Sequence, residues 1–240
     1  MTSLSILVIG LLLGMKHATE ADHLAAVATL ATRQGTLAGT IRQGVAWGIG
    51  HTLTLMLFGG IVLALGKSIP QHLERMLELG VGVMLIALGA DVLRRLVRQR
   101  ILFHVHTHPH AAPHVHAHSH AGEGRHGISP HRHAHGRPLP GRALVVGMMH
   151  GMAGSAALIL LSLEAVESTG LALLYIALFG IGSIAGMALL SAAIAIPMRL
   201  SAGYFTWLRR GISGCVGAGT LLLGAWMVWQ IGFVEGLLLR

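Results

Sequence analysis

Charge is what this 240-residue sequence has least of: 11% of its residues are charged, against about 25% in a soluble domain. With 53% hydrophobic residues, too little polar surface remains to cover a core in water, so a soluble globular domain is excluded. Acidic residues are the scarcer sign, nine Asp and Glu against 17 Lys and Arg. The resulting net charge of +8 is dispersed through loops and not grouped with aromatics, which excludes a nucleic-acid surface as its explanation. Cys215 is the only cysteine, which excludes an internal disulfide and a thiolate metal cluster. No basic run precedes the first apolar stretch and no small-residue cleavage site follows it, so residues 4–31 read as a retained span and not as a signal peptide.

What is present is long apolar windows, each enough to cross a hydrocarbon core that needs about 20 residues of helix. Six are expected, near 4–31, 44–66, 76–97, 142–163, 170–197 and 212–234. Loops after the odd-numbered windows hold most of the basic residues, among them Arg33, Arg42, Arg94, Arg95, Arg142, Arg209 and Arg210. The opposite loops hold Lys67, Arg75 and Arg240 beside Glu74, Glu78, Glu164, Glu167 and Glu235. The bias of cytoplasmic loops toward Lys and Arg then predicts both termini outside the cytoplasm.

One stretch breaks the pattern. Lys16, His17, Glu20, Asp22 and His23 lie inside the first apolar window. An ionisable residue at the bilayer centre costs roughly 2.5–3.5 kcal/mol on insertion scales. Two imidazoles and two carboxylates together suit a divalent transition metal. At 100° per residue His17, Glu20 and His23 share one flank of a helix while Asp22 points about 140° away from His17, so for both to meet one ion the first span must break near Gly14–His23. Glu20 reads either as a ligand or as the acceptor for a ligating imidazole, and Lys16 is expected to pair with Glu20 or to face water.

The second window carries Gly48-Ile49-Gly50-His51-Thr52, and His51 reads as a further ligand beside the two histidines of the span before it. Asp91, close to Arg94 and Arg95, reads as an ion-pair partner. Short echoes recur in the second half: Gly147-Met148-Met149-His150 repeats Gly14-Met15-Lys16-His17, and Phe179-Gly180-Ile181-Gly182 repeats Trp47-Gly48-Ile49-Gly50. Three spans per repeat force the second copy to insert upside down, a recurring transporter plan with a site near the midplane. His150 is the one histidine the second copy keeps, and it reads as a ligand offered across the pseudo-twofold axis.

Between the halves the composition changes. His104, His106, His108, His110, His114, His116, His118 and His120 alternate with small residues, and His126, His131, His133 and His135 follow. Such a segment has little to bury and is expected to be disordered, while its neutral imidazoles suit capture of divalent metals. The expected organisation is therefore a first repeat over 1–98, a cytoplasmic His-rich loop over 99–141 and a second repeat over 142–240.

The run His17-Ala-Thr-Glu-Ala-Asp22-His23 resembles the His-x4-Asp-His signature of the nickel/cobalt transporter family, and Gly50-His51-Thr52 is similar to its second signature. Gly147–Ser155 resembles the short six-span branch that includes urease-accessory-type permeases. Longer members carry further acidic signatures in the second half that this sequence lacks. The resemblance implies an all-α integral membrane protein of the cytoplasmic membrane, permeating Ni2+ or Co2+ with His17, Asp22, His23 and His51 in the ion path. It implies no tightly bound cofactor; the lipid bilayer, the ion, and cytoplasmic metallochaperones or metalloenzyme maturation proteins are the expected partners. Uptake leads, with Zn2+ as a third cargo. The His-rich loop is also similar to features of nickel and cobalt efflux permeases. A membrane metalloenzyme and a metal sensor are the rivals from other classes. The motif lacks the His-Glu-x-x-His spacing of a metalloprotease.

Overall fold

The computed structural model describes residues 3–33, 36–65, 70–98, 101–108, 111–119, 140–153, 168–204 and 206–238. In chain order the elements are α1 (Ser3–His17), α2 (Ala21–Ala31), α3 (Leu37–Leu65), α4 (Gln71–Arg98), β1 (Ile101–His108), β2 (Ala111–Ser119), α5 (Gly141–Met152), α6 (Thr169–Tyr204) and α7 (Thr206–Trp229), which runs into a π-helical turn over Gln230–Val234. Four segments, Leu37–Leu65, Gln71–Arg98, Thr169–Pro197 and Arg210–Val234, are long and apolar enough to cross a membrane, and α1 with α2 forms a fifth, bent by 57°. The chain is a multi-pass α-helical membrane protein. Of the span expected at 142–163, α5 is seen, and 154–163 lies outside the described residues.

The outer surface is unlike that of a soluble protein. Leu12, Leu57, Leu189 and Leu222 face outward, as residues do when lipid is the solvent. The buried set instead includes four histidines: His17 is 4% exposed, His23 2%, His51 0% and His150 2%.

The break in the first span falls inside the polar motif, between His17 and Ala21. The last turn of α1 tightens, with the amide of Thr19 donating to the Lys16 carbonyl at 2.9 Å and that of Glu20 to the His17 carbonyl at 3.1 Å. Glu20 is extended at φ −63°, ψ 152°, and the helix restarts where the Leu24 amide donates to the Glu20 carbonyl at 2.9 Å.

Helix α3 packs against α5 and α6, α1 against α6, and α4 against α7. These contacts are close because glycine stands at them. A Cβ on Gly14 would lie 2.0 Å from the Phe179 carbonyl oxygen, and one on Gly147 2.0 Å from that of Trp47. The relation recurs between Gly182 and Leu11 at 2.1 Å and between Gly50 and Leu144 at 2.2 Å. Only hydrogen fits there, and small residues at membrane helix interfaces permit such approach. Corresponding residues of these contacts, Gly14 and Gly147, Trp47 and Phe179, Leu11 and Leu144, and Gly50 and Gly182, are offset by 132 or 133 residues, the offset of the sequence echoes.

Over 101–119 the backbone forms an antiparallel hairpin with His104 opposite His116 and His106 opposite His114, irregular between His106 and His108. Alternation with Val105 and Val115 has the two-residue period of a strand. His110, His120, His126, His131, His133 and His135 lie outside the described residues.

Candidate metal-ion path

The kink brings the end of α1 to the start of α2. In an unbroken helix His17 and His23 would be separated by about 9 Å of rise; here their ring centroids are 4.5 Å apart. His51, from the middle of α3, places its ring 5.3 Å from both. His17, His23 and His51 form one group whose ligand atoms all lie within 4.8 Å of one another, and Asp22, His23 and His150 form a second. His23 belongs to both.

Hydrogen bonding orients these rings. His17 Nδ1 lies 2.8 Å from Glu20 Oε1, and His23 Nδ1 lies 2.8 Å from Asp22 Oδ1. An ionised carboxylate only accepts, so each Nδ1 carries the proton and each Nε2 keeps its lone pair. Both Nε2 atoms are buried without a hydrogen-bond partner, as are both ring nitrogens of His51 and Nδ1 of His150. Buried polar atoms are satisfied in the great majority of cases, and four histidines with free nitrogens in one place match the donor set of a late first-row divalent ion.

Asp22 sits in the first turn of α2, where the helix dipole favours an anion. Its Oδ1 also accepts the His23 amide at 2.8 Å, and its Oδ2 is 3.4 Å from His150 Nε2. The carboxylate therefore meets His23 and His150, not His17. Glu20 bonds His17 and Lys16 is exposed, so of the two arrangements expected for Lys16 the pairing with Glu20 is not the one formed. Asp91 joins Arg95 as expected, at 3.3 Å, and also Arg33 and Arg142.

Two aromatic residues back the histidines, and the sequence reading gave neither a role. Trp47 is fully buried; it stacks on His51 with centroids 5.5 Å apart and planes at 7°, and its ring is 5.1 Å from His150. Phe179, its counterpart in the echo, lies 5.4 Å from His17. The available signal was the spacing of four between Trp47 and His51, which puts both on one helix face. Ser183, at the position echoing His51, is buried with an unpartnered hydroxyl.

A cavity of about 370 Å³ adjoins this place, lined by Glu20, Asp22 and Glu78 together with apolar residues that include Val81, Leu223 and Trp226. Glu78 comes from α4, 13 residues before Asp91, or about 20 Å along the helix.

Comparison with known proteins agrees with this chemistry. A family described as NicO, high-affinity nickel-transport protein, matches residues 3–211, which include every residue of both histidine groups. A urease accessory protein, UreH, of Bacillus sp. (strain TB-90) is 35% identical over 238 residues, covering 98% of this chain and 95% of that protein. No solved structure matches. With buried histidines inside a multi-pass helical bundle and a family match over most of its length, the chain belongs to the NicO family of high-affinity nickel-transport proteins, transporters and not enzymes.

Proposed function

We propose that the chain is a permease that brings Ni2+, with Co2+ as second cargo, into the cell through the two histidine groups. The observation that carries this reading is the pair of buried, unpartnered Nε2 atoms on His17 and His23, whose opposite nitrogens are held by carboxylates. The hydrated ion is drawn into the cavity walled by Glu20, Asp22 and Glu78. It exchanges water for Nε2 of His17, Nε2 of His23 and a nitrogen of His51.

Electrostatics supports the same site. Moving even a singly charged ion into a medium of low dielectric costs of order 20 kcal/mol before compensation. Glu20 and Asp22 bring two negative charges against the two of the ion, and their bonds to Nδ1 raise the basicity of the ligating nitrogens. Because His23 belongs to both groups, the ion passes to Asp22 and His150 by exchanging partners around one ring. An all-nitrogen and oxygen donor set, with no thiolate, favours Ni2+, Co2+ or Zn2+ over Cu(I).

The matched glycine contacts at one offset support two inverted three-helix repeats, with His17 and His150 as related positions. Inward direction is supported by the acidic cavity, which opens at the end of α4 that the Lys and Arg bias assigns to the outside. The His-rich segment, with His104 facing His116 and His106 facing His114 in register, serves as a cytoplasmic reservoir. The relative's designation as a urease accessory protein supports delivery to a metalloenzyme maturation protein. The test is Ni2+ and Co2+ flux into proteoliposomes of known orientation. Flux is expected for the parent and lost in His17→Ala and Asp22→Ala, and undiminished flux in both variants would sink the reading.

A further inference from the structure

The site is open toward the Glu78 end of α4 and closed toward the other. On the closed side, Ala26, Val27, Leu30, Leu88, Ala143 and Val146 belong to one buried apolar cluster. Beyond it lies Asp91. Its carboxylate accepts from Arg33, is 3.3 Å from Arg95 Nη2, and is 3.7 Å from Arg142 Nη2. Arg33 directly follows the C-terminal end of α2, whose first turns carry Asp22 and His23. Arg142 is the second residue of α5, whose last turn carries His150. Asp91 thus ties to α4 the far ends of the two short helices that hold the second ligand group. An ion released on this side meets that apolar cluster first, and parting α2 or α5 from α4 would open a way past it.

We infer that the Arg33–Asp91–Arg142 ion cluster is the closed gate on the release side of the path, and that this structure is the state open at the Glu78 end. The inference rests on the permease reading for its meaning, but it concerns residues outside the ligand set. Arg142, Val146 and His150 follow at intervals of four on α5 and so share one face, which makes position 146 a reporter between gate and site.

The test uses full-length protein in sealed vesicles with Cys215→Ser and Val146→Cys, followed by the rate of labelling with a membrane-impermeant maleimide applied from each side. In the otherwise unchanged protein, labelling from the Asp91 side is slow. Asp91→Asn and Arg33→Gln are expected to speed it about five-fold, the change that loss of a partly exposed ion pair brings, and the double variant is no faster than the faster single. Raising salt to about 1 M, where screening acts over about 3 Å, speeds labelling when Asp91 is present and not in Asp91→Asn. Ni2+ binding measured by calorimetry in Asp91→Asn and Arg33→Gln with Val146 unaltered changes by less than about two-fold, since neither residue is a ligand. Labelling of folded Asp91→Asn at the unaltered rate overturns the gate. Should that variant fail to fold, Arg142→Gln and the salt series decide, and no acceleration in either overturns it. Protein that binds no Ni2+ while its labelling still responds sinks the permease reading and leaves the gate standing.

Discussion

At the scale of the residue, the two carboxylates of the motif do their work through the histidines beside them. Glu20 and Asp22 each hold an Nδ1–H at 2.8 Å, which turns the free nitrogen of each ring inward. Glu20→Gln keeps an acceptor and loses the charge, so Ni2+ affinity is expected to fall by roughly 10–100-fold while the protein stays folded. Calorimetry on purified protein reads this, and an unchanged dissociation constant would remove Glu20 from the ion's surroundings. The alternatives for Glu20 were legible in the sequence. Asp22 meeting His150 at 3.4 Å was not, because that contact joins residues 128 positions apart, and Trp47 was read only as part of a glycine-rich echo.

At the scale of the element, packing depends on where a helix lacks a side chain. Alanine is a better helix former than glycine by up to about 1 kcal/mol, so propensity alone predicts that Gly→Ala helps. Gly14→Ala and Gly147→Ala should do the opposite, since each new methyl would lie 2.0 Å from a facing carbonyl oxygen, an overpacking that costs at least about 1–3 kcal/mol. Gly60 has nothing within 4 Å of such a methyl, so Gly60→Ala should be neutral or mildly favourable. Thermal unfolding in detergent separates the two, and equal midpoints for all three variants would mean that close helix approach does not hold the bundle together. That the first span is interrupted was legible from its polar run, but the break expected to join His17 to Asp22 instead joins His17 to His23 and leaves Asp22 with His150. The 57° bend of that span follows from packing against α6 and α7, which no local pattern contains.

At the scale of the molecule, the proposed route begins at the acidic cavity and ends toward the His-rich segment. Glu78→Gln takes one negative charge from the cavity wall and leaves every histidine in place, so the KM for Ni2+ should rise by about two- to ten-fold at low salt, with kcat retained and the difference shrinking as salt screens the field. A KM that stays put at all ionic strengths would show that Glu78 does not face the incoming ion. Deletion of 104–135 should leave flux at saturating Ni2+ intact and lower loading at scarce metal. Complete loss of flux would instead place the segment in the path. By itself the sequence determined that this chain lives in a bilayer, that five polar residues interrupt its first span, and that its two halves echo one another, because hydropathy, charge and spacing are local quantities. Only the tertiary structure decided which nitrogens converge, which carboxylate holds which ring, and that Asp91 gathers Arg33 and Arg142 from distant helices. Those are distances between atoms far apart in the chain, set by how closely glycine lets the helices pack.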